Sequence, residues 1–309
     1  MKKILLLSAI IVSGGFISCK QNDIENGTSG QRKEVKFNSN ITSINEPKTR
    51  MAGQTWHTGD SIGIFMLNET GSELVESKEN VKYINDKEST VGAFKPESEI
   101  IYFPDNGSEV VFMSYYPYKK DIADNIYKIN VLSQNNQSAI DLLHSFDKEE
   151  KYDKTTEDKL VTLVFTHQLT KININVKRGD DLPEGYLDDL TVHFEGLKTI
   201  ADFNLMSGLL SSADNTANIS TKAIAAVNEY EASFEAIVLP VNPTGAKIVF
   251  NLNNGDGGSD DAFSWAFNNE LFEKSTEYNY NVTIKRTGIV VEATINPWID
   301  GGENEIDAE

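Results

Sequence analysis

The sequence predicts an all-β chain folded as two β-sandwich domains in tandem. Apolar residues recur with period two in run after run, clusters of turn-forming residues separate the runs, and helical periodicity is scarce. Alternation of this kind places one face of a strand against a core and the other toward water. Many short strands divided by turns are the pattern of sandwiches rather than of helical or parallel α/β folds.

The runs follow in order. Val35, Phe37 and Ile41 share one face of a first strand, read as Val35 to Ile44. Ile62, Ile64 and Met66 share a face of a second, and Val110, Phe112 and Ser114 a face of a third that leads into Tyr115-Tyr116-Pro117-Tyr118. Residues from Ser138 to Phe146 suit a short helical turn. Leu163, Phe165, His167 and Leu169 alternate in one phase, and Ile172, Ile174 and Val176 in the opposite phase. Late in the chain come Tyr278, Tyr280, Val282 and Ile284, then Ile289, Val291, Ala293 and Ile295. Turn residues punctuate the series at Pro104-Asp105-Asn106-Gly107, at Asn254-Gly255-Asp256-Gly257-Gly258 and at Thr287-Gly288. A strand cannot keep one face buried through a phase reversal without a bulge or a break. The reversal between Leu169 and Ile172 therefore sets a domain junction just before it, near residues 155–162, beside the charged stretch Lys151 to Lys159. The expected domains are 34–158 and 159–309, and the halves show no clear sequence repeat.

The N-terminus carries a different signal. Lys2 and Lys3 precede an apolar run from Ile4 to Ile17, too short and too soon followed by polar residues to be a permanent membrane span. It reads as the apolar region of a signal peptide, residues 1–18. Phe16-Ile17-Ser18-Cys19 resembles the lipobox of bacterial lipoproteins, with Phe16 in place of the more usual Leu. Cys19 is the single cysteine of the chain, so the reading makes it a lipidated N-terminus. One cysteine supports neither an internal disulfide nor a cysteine-rich zinc site. Residues 19–33 are polar, with Asn-Gly and Ser-Gly pairs, and are expected to tether the lipid to the fold.

The formal charge is -19, with 47 acidic residues against 28 Lys and Arg. An acidic surface disfavours nucleic acid and anionic lipid as partners and favours solubility outside the cell. No motif of catalysis emerges. The histidines, His57, His144, His167 and His193, are scattered, without metal-ligand spacing, and His167 alternates with apolar residues, as a structural histidine would. There is no G-x-S-x-G elbow, P-loop or dinucleotide fingerprint. The loop Asn253 to Asp261 is calcium-like in composition only, so no metal or cofactor is expected. Trp56, Trp265, Trp298 and the Tyr115–Tyr118 group could stack on sugars, but each lies at or beside an alternating run and suits a core or strand edge better.

Several segments in order carry a family resemblance. They are Thr49-Arg50; Trp56-His57-Thr58-Gly59-Asp60-Ser61-Ile62-Gly63; Tyr115-Tyr116-Pro117-Tyr118; Asp141-Leu142-Leu143; Phe165-Thr166-His167-Gln168-Leu169-Thr170-Lys171-Ile172; Phe203-Asn204-Leu205; and Tyr278-Asn279-Tyr280-Asn281-Val282-Thr283 followed by Ile295-Asn296-Pro297-Trp298. Together, from about Arg50 to Trp298, the chain resembles the fimbrillins, lipoprotein pilins of Gram-negative gut and oral bacteria. The resemblance implies tandem transthyretin-like β-sandwiches and a non-enzymatic subunit of a type V pilus on the cell outer membrane and surface, probing host or bacterial ligands in adhesion. It also implies that an arginine-specific protease removes the N-terminal strand, and that another pilin subunit then fills the groove.

The residues suit that scheme. Pro47 interrupts strand character within Asn45-Glu46-Pro47-Lys48-Thr49, which makes this stretch an exposed and cleavable segment. A cut after Arg50 starts the chain at Met51 and removes Val35, Phe37 and Ile41 together with Cys19 and its outer-membrane lipid. A cut at Arg32 would leave the strand in place. Ile289, Val291, Ala293 and Ile295 form the candidate donor strand, ahead of the acidic tail Asp300 to Glu309, although the same strand could simply complete its own domain. Two rival readings stand beside the pilin: a surface glycan-binding lipoprotein, which an exposed line of tryptophans would favour, and an anchor subunit that stays lipidated.

Overall fold

The computed structural model describes residues 32–42, 55–211, 213–252, 261–267 and 271–298. Among them the chain is almost wholly strand, with no α-helix and two single-turn 3-10 segments at Gln137–Ala139 and Glu157–Lys159. The all-β class read from the alternation is what the chain adopts. Where a helical turn was expected over Ser138 to Phe146, only the 3-10 turn forms, and Leu143–Phe146 is a strand.

Seven strands enclose a first core: β1 (Lys36–Thr42), β2 (Ser61–Asn68), β3 (Val81–Asn85), β4 (Gly92–Pro96), β5 (Val110–Tyr116), β7 (Leu143–Phe146) and β8 (Leu160–His167). They close in the order β1-β4-β3-β2-β5-β7-β8, so β1 has a partner on each side. It runs antiparallel to β4, with Phe37 opposite Phe94, and parallel to β8, with Lys36 opposite Leu160 through Thr42 opposite Thr166. A parallel pair cannot be joined by a tight turn, and here most of the barrel lies between the two strands.

Further strands form two sheets that face each other over a second core. One contains β6 (Ile126–Asn130), β10 (Thr191–Asn204), β11 (Leu209–Leu210), β12 (Asp214–Ser220), β15 (Lys247–Leu252) and β16 (Asp261–Ala266). The other has the order β13-β14-β9-β17-β18, built from β9 (Thr170–Arg178), β13 (Lys222–Ile224), β14 (Ala232–Val238), β17 (Thr276–Lys285) and β18 (Gly288–Pro297). Ile172, Ile174, Phe234 and Tyr280 from one sheet meet Val192, Phe194, Ile248 and Phe250 from the other.

The phase reversal has a clear cause. β8 buries Val161, Leu163, Phe165 and His167, whereas β9 buries Thr170, Ile172, Ile174 and Val176. The chain leaves the barrel after His167 and enters the second assembly at Thr170, so the inward side changes sign. This crossing lies a few residues after the junction expected near residues 155–162. β6 is a second crossing: it precedes β8 in sequence yet pairs with β10, Ile129 opposite Ala201. β2 and β5 are apolar on both faces. Ile62, Ile64 and Phe112 point into the barrel, while Phe65, Val111 and Met113 join Tyr127 and Phe203 in the second core. Period-two counting registered the first face only, because strands buried on both sides read as continuous apolar runs.

Candidate assembly site

The residues singled out for assembly fall in three places. Cys19, Arg50, Met51 and the calcium-like loop up to Asp260 lie outside the described residues. The first-strand residues Val35, Phe37 and Ile41 are 1%, 3% and 5% exposed. Phe37 sits edge-on between Tyr83 and Phe112, with ring centroids 5.1 Å from each. Just before β1, the Val35 amide donates to the Ile101 carbonyl at 3.0 Å. Burial of each such apolar side chain contributes about 1.5–3 kcal/mol, so β1 is an integral wall of its core.

One position in this wall is narrow. Ser39 is fully buried opposite Gly92, and its hydroxyl has no hydrogen-bond partner among the described residues. A Cβ on Gly92 would stand 2.6 Å from Ser39 Oγ and 2.9 Å from Trp56 Cδ1, closer than side chains can pack. Gly92 is therefore required for β1 to carry even a serine here. Trp56, 1% exposed, closes the space from the other side, edge-on to Phe94 and Phe165.

The candidate donor is different in kind. Among the described residues β18 is the edge strand of its sheet and pairs with β17 alone, Ile289 opposite Ile284 through Ile295 opposite Tyr278. Its Ile289-Val291-Ala293-Ile295 side matches the buried side of β17. Ile289 and Val291 are half-buried against the second core, whereas Ala293 is exposed and Ile295 is 61% exposed. An apolar edge strand is a ready site for pairing with another chain.

The C-terminal end of β18 is pinned. Trp298, 2% exposed, stacks on the His167 ring at 3.8 Å and 11°, and its amide donates to the Ser275 carbonyl. His167 Nδ1 lies 2.9 Å from Asp141 Oδ1, and its Nε2 has no partner among the described residues. Three motifs far apart in sequence, at Asp141, His167 and Trp298, thus meet between the barrel and the second assembly. The sequence pattern placed His167 among apolar residues, and the ring is buried, but that pattern did not pair it with Asp141 or Trp298. A cleft of about 340 Å³ opens beside this junction, lined by Ile41, Trp56, Asp60, Tyr116, Asp141 and Trp298.

Electrostatics here serves structure. Burial lowers the pKa of His144 to about 4, so the ring is neutral, and its Nε2 lies 2.8 Å from the Leu205 carbonyl. Burial raises the Tyr83 hydroxyl to about 12 while it accepts the Ile101 amide. Among the described residues no three His, Cys, Asp or Glu side chains converge to hold a metal, and no helix is long and apolar enough to cross a membrane. Trp56 and Trp298 are buried and Trp265 half-buried, so the three do not form an exposed line of rings.

Among the described residues, fold and site define an all-β protein whose first strand is a wall of its core and whose last strand is an apolar sheet edge. Residues 49–298 match the model of the Fimbrillin-like family, and the chain belongs to that family. It is 32% identical, over 97% of both chains, to a candidate fimbrium subunit, Fim1C, of Bacteroides uniformis. The crystal structure of a candidate cell adhesion protein from Bacteroides uniformis superposes with TM-score 0.71 at 30% identity, covering 88% of this chain and 99% of that one. A candidate cell adhesion protein from Bacteroides ovatus shares the fold at TM-score 0.68 and 21% identity, covering 88% and 100%. The resemblance drawn from the ordered motifs is thereby established at the level of family.

Proposed function

We propose that this protein is a non-enzymatic fimbrial subunit of the cell surface, exported as a lipoprotein through Cys19 and polymerising by strand exchange. In this scheme the chain is made as two tandem transthyretin-like domains, with a boundary near 158/159 in sequence. Cleavage after Arg50 frees Met51 as the new N-terminus and removes β1 with Cys19 and its lipid. The opened seat between β4 and β8 then takes β18 of the next subunit. Family membership and the likeness to a fimbrium subunit and to a cell adhesion protein support the fimbrial and adhesive role.

The observation that carries the exchange reading is the contrast between β1 and β18. β1 is held on both sides by backbone pairing and covers an aromatic core, so its loss leaves one open edge on β4 and one on β8, flanking an apolar groove. Among the described residues β18 pairs with one strand only and exposes part of an apolar face, so its departure breaks a single ladder, together with the Trp298–His167 stack at its end. The burial of Trp56 and Trp298 favours this reading over the glycan-binding one.

The test is the N-terminal residue of the protein recovered from cells, joined to polymerisation of purified protein by an arginine-specific protease. A terminus at Met51 in polymer, and monomer only for Arg50→Ala, are the expected results. Unchanged polymerisation of Arg50→Ala would falsify the processing step. Labelled palmitate entering Cys19→Ala would remove the anchor assignment.

A further inference from the structure

We infer the register in which the β18 of a second copy occupies the seat of β1: Ile289 takes the place of Val35, Val291 that of Phe37, Ala293 that of Ser39 and Ile295 that of Ile41. The inference rests on the exchange reading above and specifies its interface.

The argument begins with the shape of the seat. The inward side of β1 reads Val35, Phe37, Ser39, Ile41, with a small side chain third. That third position faces Gly92, and the space over the glycine is already filled: a Cβ there would stand 2.6 Å from both Ser39 Oγ and Phe94 Cε2 and 2.9 Å from Trp56 Cδ1, so a larger third residue has to displace one of the two rings. The side of β18 that matches the buried side of β17 reads Ile289, Val291, Ala293, Ile295, also with a small side chain third. Sliding β18 by two residues either way puts Val291 or Ile295 against Gly92 and Trp56, where overpacking is destabilising. Sliding by one turns the polar side inward, with Glu292 in the core.

Direction follows from the backbone. A strand laid in reverse can also bring Ala293 to the narrow position, but it then sets Pro297 where Val35 stands. The Val35 amide donates to the Ile101 carbonyl, and proline has no N–H to replace it. In the direct orientation Ile289 supplies that amide. Pro297 then falls two residues beyond the Ile41 place, past the end of β1 at Thr42. The incoming strand therefore runs parallel to β8, as β1 does.

The fit also supplies a driving force. Ser39 holds a buried hydroxyl without a partner among the described residues, and Ala293 presents a methyl in its place. Removing an unsatisfied buried polar group favours the exchanged state over the precursor. Phe37, larger than Val291, favours the precursor, so the uncut chain keeps its own strand until that strand is removed.

Two experiments test the register and separate it from the reading beneath it. The first uses the full uncut chain and needs no polymerisation. A direct graft, Val35→Ile with Phe37→Val and Ser39→Ala, is compared with one that differs only at the third place, where a slide by two would set Ile295: Val35→Ile with Phe37→Val and Ser39→Ile. The direct graft is expected to melt higher by roughly 5 °C or more, and Ser39→Ala alone to melt at or above the wild type. Equal melting of the two grafts, or higher melting of the one with Ser39→Ile, overturns the register.

The second follows polymer formation after arginine-specific cleavage. Ala293 is exposed in the monomer, so Ala293→Leu leaves monomer melting unchanged, and it is expected to slow polymer growth by at least tenfold. Ala223→Leu, the same change at an exposed residue of β13, at the other end of the sheet from β18, serves as control and polymerises as the wild type does. Polymer growth of Ala293→Leu at the wild-type rate overturns the register. A wild type that loses β1 and stays monomeric overturns the exchange reading itself, whatever the grafts show.

Discussion

β1 and β18 are strands of similar character placed in opposite circumstances. Each alternates apolar residues along one side. β1 is paired on both edges and its apolar side is sealed by Tyr83, Phe112, Trp56 and Phe165. β18 is paired on one edge, and its apolar side grades from half-buried at Ile289 to 61% exposed at Ile295. The lesson is that strand propensity does not decide how firmly a strand is held. The number of paired edges and the completeness of the core behind it do.

Substitutions can break this comparison, and the largest effect belongs to β1. Phe37→Ala removes the ring wedged between Tyr83 and Phe112 and is expected to cost about 3–5 kcal/mol, read as a lower denaturant midpoint of the full chain. A loss below about 1 kcal/mol would mean that β1 is not an integral wall. Trp298→Ala comes next, at about 3 kcal/mol, because it leaves one face of the buried His167 ring bare. Its sharper signature is local: amide exchange along β18 should accelerate far more than along β14 or β9, since Trp298 is the pin at the open end of that strand.

Acid gives an intermediate effect. The folded pKa of His144, lowered to about 4 by burial, lies below the value of an unfolded histidine, so the unfolded chain binds the extra proton first. The stability linked to this group is complete above about pH 6.5 and is lost as pH falls toward 4, on the order of 2 kcal/mol by pH 5. Unfolding midpoints between pH 7 and 5 should show that slope, and His144→Phe should flatten it; an unchanged slope in the variant assigns it to other groups. The smallest effect is expected at Ile295→Ala, less than about 0.5 kcal/mol on monomer stability. If it instead weakens polymer formation strongly, the contrast between the two strands is sharpened, because the residue would matter only in the exchanged state.

Much of this was legible in sequence for a physical reason. Period-two alternation follows directly from strand geometry, so the all-β class, the inward Val35, Phe37 and Ile41 of the first strand, and β17 with β18 could be located from the apolar residues, whereas the inward Ser39, being polar, gave no such signal. The phase change between Leu169 and Ile172 announced that the chain changes sheets, because the inward side of a strand cannot otherwise reverse. The ordered motifs carried the family. What alternation cannot contain is partnership between distant segments. The parallel pairing of β1 with β8, the passage of β6 into the sheet of β10, and burial of β2 and β5 on both faces all depend on contacts closed across the whole chain. The junction of Asp141, His167 and Trp298 is of the same kind: each residue reads as ordinary alone, and only the packing of barrel against sheet makes them one site. The narrow position at Ser39 is likewise a property of Gly92 and Trp56 as much as of β1, since the room for a side chain is set by its neighbours in space.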